Sequence, residues 1–333
     1  MTKPIVAITM GDPAGVGPEV VLKALGDPGV RRACRPLILG DLGVLQRTHN
    51  GRGKRPNLVP WKLGQRFPER NSSTPVYSLS SLSAAQSQPG CPSRACGEAA
   101  YRFIKTATEL VHARFADAMA TAPISKKALQ LAGYPYPGHT ELLAELTKTR
   151  ECRMMLLGAR LRVVLVTGHL PLVRVKRELT RDRIRVTLEL AHHALKAYFG
   201  IARPRLAVAA LNPHAGEMGI LGDEEGKLIT PVLENVRKKG IRAEGPFPAD
   251  TLFFHAVRGS YDAVICMYHD QGLIPLKLQH FLGGVALTLG LPIIRTSVDH
   301  GTAYDIAGKN KANGSSMKEA ILLAARLARV KKR

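Results

Sequence analysis

The sequence predicts an α/β fold built on a largely parallel sheet. Two observations carry that prediction. Apolar, strand-like runs alternate with stretches of helical spacing along most of the chain, the pattern of strands returned by crossover helices. A glycine-rich segment, Gly11-Asp-Pro-Ala-Gly-Val-Gly17, joins the first such run to the first helical stretch, as the opening turn of a βα unit does. At 333 residues the chain exceeds one core of ordinary size, so two domains or one large unit with an insertion are expected.

The first elements read strand (4–10), glycine loop (11–17), helix (18–25) and strand (36–40). Pro18 suits a first helical turn and Glu19 is favourable beside the positive helix end. Residues 50–96 are the least regular stretch, rich in Ser, Pro and Gly, and read as loop with short strands. Apolar spacing predicts a helix over 97–113 and a strand over 117–121, with Ser125 placed to cap the helix after it. Further strands fall at 152–157, 161–166, 206–211, 263–268, 285–289 and 293–295, and helices at about 181–199, 225–239, 250–257 and 316–330.

Composition narrows the function classes. Apolar residues make up 45%, a normal figure for a globular protein. No apolar run approaches the length of a membrane span, and Met1-Thr-Lys-Pro leads into a strand without a signal-like segment, so a cytoplasmic protein is expected. Cys34, Cys91, Cys96, Cys152 and Cys266 are odd in number and irregular in spacing, which fits neither a disulfide framework nor a CxxC metal site. Cys34, Cys152 and Cys266 border or lie in apolar runs and read as core residues.

The net charge of +22 is unusual but spread along the chain. Basic residues gather at Arg47, Arg52, Lys54, Arg55, Lys62, Arg66 and Arg70, at Arg174, Lys176, Arg177, Arg181, Arg183 and Arg185, and in the tail from Arg329 to Arg333. No zinc-finger spacing or aromatic RNA-binding pattern accompanies them, and aromatics are only 5%, so the charge reads as a solvated surface that favours anionic substrates, with a non-catalytic basic nucleic-acid-binding protein as the alternative.

Three histidines share one context. His169, His214 and His269 each sit just past the end of an apolar strand-like run. Parallel strands share one carboxyl edge, outside which ligands bind. Three imidazoles meeting there would hold a divalent metal and leave positions open for substrate. Two segments offer anion-binding groups: Thr121-Ala-Pro-Ile-Ser-Lys-Lys127, and Gly138-His-Thr-Glu141, where His139 and Thr140 stand at a helix start. Lys277 and Arg295 are charges beside strand-like runs, suited to phosphate or carboxylate. The loop at 11–17 has the position of a phosphate cradle, but its GxxxGxG spacing matches neither the dinucleotide fingerprint nor a Walker A sequence.

Read together, these motifs resemble the 4-hydroxythreonine-4-phosphate dehydrogenase family of vitamin B6 biosynthesis, over 5–308. The resemblance rests on Met10-Gly-Asp-Pro-Ala-Gly-Val-Gly-Pro-Glu19, Thr121-Ala-Pro-Ile-Ser-Lys126, Gly138-His-Thr-Glu141, Leu211-Asn-Pro-His-Ala-Gly-Glu217, Gly245-Pro-Phe-Pro-Ala-Asp-Thr251, Tyr268-His-Asp-Gln-Gly272 and Arg295-Thr-Ser-Val-Asp-His-Gly-Thr302. It implies a divalent metal (Zn, Mg or Co) on His169, His214 and His269, and a homodimer in which His269 reaches the metal of its partner. It also implies substrate contacts from His139, Thr140, Lys277 and Arg295. The implied reaction oxidises the 3-hydroxyl of 4-phosphooxy-L-threonine with NAD or NADP and releases CO2, leaving 3-amino-2-oxopropyl phosphate.

A second resemblance concerns His300-Gly-Thr-Ala-Tyr-Asp-Ile-Ala-Gly-Lys309, which is similar to the cofactor loop of isocitrate and isopropylmalate dehydrogenases. It implies their two-domain fold with the active site in an interdomain cleft, and cofactor contacts from His300, Gly301, Thr302, Ala303 and Asp305. By that analogy 1–122 with 270–333 form the cofactor-side domain, and 123–269 form the metal, substrate and dimerisation domain. Asp250 and Asp270 both stand where a general base could. One departure touches the substrate: members of the family usually carry Asn where this chain has Ala286. That keeps open D-threonate or D-erythronate 4-phosphate, or an aromatic cis-dihydrodiol carboxylate, as the substrate.

Overall fold

The computed structural model describes residues 2–48, 56–68, 73–158 and 160–331. Arg52, Lys54, Arg55, Arg70, Asn71, Ser72, Lys332 and Arg333 lie outside the described residues. The strands are β1 (Ile5–Thr9), β2 (Arg35–Gly40), β3 (Leu58–Pro60), β4 (Thr74–Ser78), β5 (Ala118–Thr121), β6 (Arg153–Gly158), β7 (Leu161–Leu165), β8 (Arg205–Ala209), β9 (Arg242–Phe247), β10 (Ala263–Cys266), β11 (Val285–Leu289) and β12 (Arg295–Val298). The α-helices are α1 (Gly17–Gly26), α2 (Pro28–Ala33), α3 (Leu42–Thr48), α4 (Arg94–His112), α5 (Lys126–Leu131), α6 (His139–Leu146), α7 (Leu172–Glu178), α8 (Arg181–Ala197), α9 (Thr230–Lys238), α10 (Ala249–Ala256), α11 (His269–Gln279) and α12 (Ser315–Lys331).

The chain divides into two compact units, Met1–Arg150 with Leu291–Arg333, and Glu151–Gly290. In the first, six strands run in the order β3-β4-β2-β1-β5-β12, every neighbouring pair parallel. Its central strands are buried almost throughout, the near-continuous apolar character of strands covered on both faces. Helix α4 shows why its sequence folds as it does. Ser93 caps it by accepting from the Cys96 amide, and Ala99, Phe103, Ile104, Ala107 and Val111 form its buried stripe.

The second unit is mixed, in the order β11-β6-β7-β10-β8-β9. The pairs β7–β10, β10–β8 and β8–β9 are parallel; β11–β6 and β6–β7 are antiparallel. Its core joins Leu156, Val163, Leu165, Ala207, Val264, Cys266 and Leu276. Thr180 caps α8 by accepting from the Arg183 amide.

The strands expected from apolar runs are present within a residue or two, except the last, which runs over Arg295–Val298 rather than 293–295. Strand β9 was not expected, because Gly245 and Pro246 break its apolar pattern. Helix α11 was masked by Gly272 and Pro275. The helix expected over 225–239 opens with a wider π turn, Glu225–Ile229, before α9. Cys34, Cys96 and Cys266 are buried, Cys152 is half-buried and Cys91 is exposed, and burial pushes the Cys34 thiol up to about 12. Among the described residues no helix is long and apolar enough to cross a membrane.

The unit boundaries fall at 150/151 and 290/291, not at the expected 122/123 and 269/270. The reason is close packing at two glycines. Helix α5 lies so near α4 that a Cβ at Gly97 would collide with the Ala128 carbonyl oxygen, which ties 123–150 to the first unit. Helix α11 lies on β10, where a Cβ at Gly272 would sit 2.9 Å from Cys266 Sγ, which ties 270–290 to the second. Gly97→Ala should therefore lower stability by about 1–3 kcal/mol through overpacking. Urea unfolding checks this; an unchanged midpoint would remove the close approach as the reason for the boundary.

Candidate functional site

Three adjacent parallel strands of the second unit carry the three histidines. Strand β10 lies between β7 and β8, with Val264 opposite both Val163 and Ala207. Pairing of β7 with β10 continues past the strands: the Val166 amide donates to the Cys266 carbonyl (2.9 Å) and Thr167 Oγ1 to the Met267 carbonyl (2.6 Å). His169 and His269 therefore emerge side by side, their ring centroids 5.1 Å apart and tilted by 45°. Asp270 Oδ1 lies 2.6 Å from His269 Nδ1. A carboxylate there accepts the Nδ1 proton and leaves Nε2 with its lone pair, the usual second partner of a ligating imidazole.

Gln271, a residue of the same motif that received no role from the sequence, locks this edge. It is buried, accepts from the Met267 amide (2.7 Å) and donates to the Ala210 carbonyl (2.6 Å), so the start of α11 is fixed to the ends of β10 and β8.

His214 follows β8 in an irregular turn, Pro213–Gly219, and is exposed. Five successive residues, His214 to Met218, have positive φ between 44° and 80°. Left-handed backbone costs a non-glycine residue about 1–2 kcal/mol, and four of the five are not glycine. Among the described residues no group of three His, Cys, Asp or Glu side chains is arranged to hold an ion. The structure thus brings His169 and His269 together within one chain and leaves His214 apart.

The anion-binding candidates divide between the units. His139, Thr140 and Arg295 belong to the first; Lys277 belongs to the second, on α11, with its ammonium 5.3 Å from the Phe281 ring centroid. Arg295 is 3% exposed, and its Nη2 and Nε donate to Thr121 Oγ1 at 2.8 and 3.1 Å. Burial pushes its pKa down to about 9, against a smaller upward pull from Glu141. His139, at the start of α6, keeps its Nε2 enclosed without a partner. Burial first, and the Arg295 charge second, hold this imidazole well below its ordinary range. A bound anion would offset both penalties.

The glycine loop is not a phosphate cradle. The amides of Asp12, Ala14, Gly15 and Val16 are committed to Pro123 O, Asp12 Oδ1, Asp12 O and Thr302 O. A buried carboxylate, Asp12, occupies the loop and accepts from the Tyr304 hydroxyl at 2.6 Å. The loop instead anchors 300–309. The Thr302 carbonyl takes the Val16 amide at 2.9 Å, and Glu19 Oε1 takes the Gly308 amide at 2.7 Å. Gly15 is needed there, since a Cβ would lie 3.0 Å from Thr302 Cβ. Within the anchored segment His300, Gly301 and Asp305 are exposed, Thr302 and Ala303 are half-buried, and Ala303 has φ 41°. Asp12 and Tyr304 were missed as a pair because nearly three hundred residues separate them; they could be found only as members of motifs that recur together.

Ala286, where the resemblance expects Asn, lies on β11 opposite Leu156, 5% exposed and within the apolar core of the second unit. Asp250 is exposed in the first turn of α10.

The chain belongs to the family described as pyridoxal phosphate biosynthetic protein PdxA, whose model matches residues 32–324. A relative from Geobacter metallireducens, named 4-hydroxythreonine-4-phosphate dehydrogenase, is 53% identical over 99% of this chain and 97% of its own length. A crystal structure of 4-hydroxythreonine-4-phosphate dehydrogenase from Klebsiella pneumoniae superposes with a TM-score of 0.88 at 42% identity, covering 98% of this chain and all of that one. A relative named D-threonate 4-phosphate dehydrogenase, from Salmonella typhimurium, is 46% identical over 97% of this chain and 98% of its own length.

His139 gives a pH test. Its pKa is lowered in the folded chain, so below about pH 6.5 the unfolded chain takes up a proton that the folded one refuses. Stability present above that pH is lost as the pH falls, by at most about 1.4 kcal/mol per pH unit for one proton. Urea unfolding at about pH 7.5 and about pH 5 should show a larger loss in the native chain than in His139→Gln. Equal losses would refute the buried neutral imidazole.

Proposed function

We propose that this protein is a metal-dependent dehydrogenase that oxidises the 3-hydroxyl of 4-phosphooxy-L-threonine with NAD or NADP. The resulting β-keto acid loses CO2 and leaves 3-amino-2-oxopropyl phosphate. The observation that carries this reading is the pair His169 and His269 at one sheet edge, with His214 after the next strand, in a member of this family.

The donors suit a divalent transition metal: two imidazoles side by side, one backed by Asp270, and a third from His214. Zn, Mg and Co are the candidate ions. Such an ion, when bound, acts as a Lewis acid on the substrate hydroxyl and on the keto oxygen that replaces it. The segment 300–309, pinned by Asp12, Val16 and Glu19, would hold the nicotinamide cofactor through His300, Gly301, Thr302, Ala303 and Asp305. Arg295, buried, and His139, half-buried with its Nε2 enclosed, are costly to charge and fit an anionic end of the substrate; Thr140 and Lys277 are further candidates for holding it. Asp270 is engaged on His269, which suits orientation better than proton abstraction; Asp250, exposed and without that engagement, is the better candidate for the base.

The reading includes a homodimer. Leu172, Val173, Met218, Ile220, Ile274, Leu278, Phe281 and Leu282 are large apolar side chains left exposed, all in the second unit and close in sequence to the three histidines. An apolar set of this kind marks an association surface. In this reading the metal site is shared between the copies, with His269 the ligand that reaches the metal of its partner. Leu278→Glu should shift sedimentation velocity toward the monomer; an unchanged dimer would exclude this face.

Turnover is tested by NADH absorbance with 4-phosphooxy-L-threonine, D-threonate 4-phosphate, D-erythronate 4-phosphate and an aromatic cis-dihydrodiol carboxylate, with and without Zn, Mg or Co. The first substrate should be preferred. His214→Ala should lose at least about 100-fold of the metal-dependent rate, since the ion supplies several kcal/mol. Full activity of His214→Ala in chelator would sink the mechanism. A preference for D-threonate 4-phosphate would support the second reading, which Ala286 and the relative from Salmonella typhimurium favour.

A further inference from the structure

The turn that carries His214 is built around two buried carboxylates. Glu225 Oε1 accepts the amides of Leu211 and Asn212, each at 2.8 Å, where β8 ends. Its other oxygen accepts from Asn212 Nδ2 at 3.0 Å. That same Oε2 lies beneath Gly216, the middle of the left-handed run, where a Cβ would fall 2.7 Å from it. Glu224 Oε2 accepts from Asn212 Nδ2 at 2.7 Å, and Glu224 Oε1 pairs with Lys176 at 2.6 Å. One carboxylate, 5% exposed, therefore grips the residues just before His214 and supports the residue two after it.

We infer that Glu225 is a positioning residue for His214: it holds the left-handed turn that presents this imidazole at the sheet edge. The inference rests on the reading of His214 as a metal ligand. Left-handed residues persist only where their surroundings over-determine them, and they concentrate at functional sites. Here the over-determination converges on Glu225, with Asn212 linking it to Glu224. A Gln at 225 keeps the shape and one acceptor oxygen but turns an NH2 toward the Asn212 NH2, a donor against a donor.

The experiment measures Zn2+ affinity of metal-free protein by competition with a fluorescent chelator, together with the visible spectrum of the Co2+-loaded protein and thermal unfolding without metal. Glu225→Gln should bind Zn2+ about 10–100-fold more weakly, the usual effect of removing a partner behind a ligand, and should alter the Co2+ bands. In a His214→Ala background the same change should cost nothing further, because it acts through that imidazole. Loss in His214→Ala with native affinity in Glu225→Gln, or an equal loss from Glu225→Gln with and without His214, overturns the inference alone. Native affinity in His214→Ala overturns the metal reading and the inference with it. If Glu225→Gln shows no cooperative unfolding, Asn212→Ala takes its place: weakened Zn2+ binding supports the role, and native binding overturns it.

Discussion

The parallel register of β7, β10 and β8 is the constraint on which the candidate metal site depends. Val163, Val264 and Ala207 stand level across the three strands. The strands therefore run out together, and whatever follows them shares one edge. The backbone bonds from Val166 and Thr167 to the β10 side carry this alignment two residues further. Buried backbone groups left unpaired cost about 1–3 kcal/mol each, so slipping the register would be expensive at every one of these bonds. Gln271 extends the same logic to the helix beyond. Its amide satisfies a donor on one strand and an acceptor on the other, and a buried amide that bridges in this way fixes the helix start that carries His269 and Asp270.

The first unit uses buried charge differently. Arg295 is out of water with Thr121 as one partner, and burial first, with the Arg295 charge second, holds His139 below its ordinary range. Asp12 is equally buried, and burial raises its pKa, but it is committed to Tyr304 and to the Ala14 amide. Asp12 is thus consumed in fastening a loop, whereas burial opposes the charging of both Arg295 and His139.

How far the sequence could be read follows from the range over which its signals act. Long apolar runs such as those of β1, β7 and β10 declare themselves, because parallel strands covered on both faces need side chains that are apolar throughout. Strand β9 and helix α11 contain Gly and Pro for reasons that exist only in three dimensions; Gly272, for one, admits the helix against Cys266. The unit boundaries were misplaced on the same ground, since nothing near residue 128 announces that its carbonyl will press on Gly97. The three histidines were legible as a set through their shared position after strands. Their grouping was not, because the left-handed turn at His214 depends on Glu225, eleven residues on, and no periodicity encodes that.

Ala286 is where this chain departs from the residue that the family resemblance implies. The methyl group at this register of β11 packs with the second unit's apolar core and offers no polar partner. A site that hydrogen-bonds a substrate group rejects an analogue lacking it by about 10⁴-fold or more, whereas an apolar wall discriminates by only about 10²-fold. An amino group and a hydroxyl differ at the carbon where 4-phosphooxy-L-threonine and a threonate phosphate part company. With alanine at this position, no hydrogen bond from this side chain separates the two. In the proposed reading the reaction rests on the histidines, and a preference for 4-phosphooxy-L-threonine would have to arise at a position other than 286.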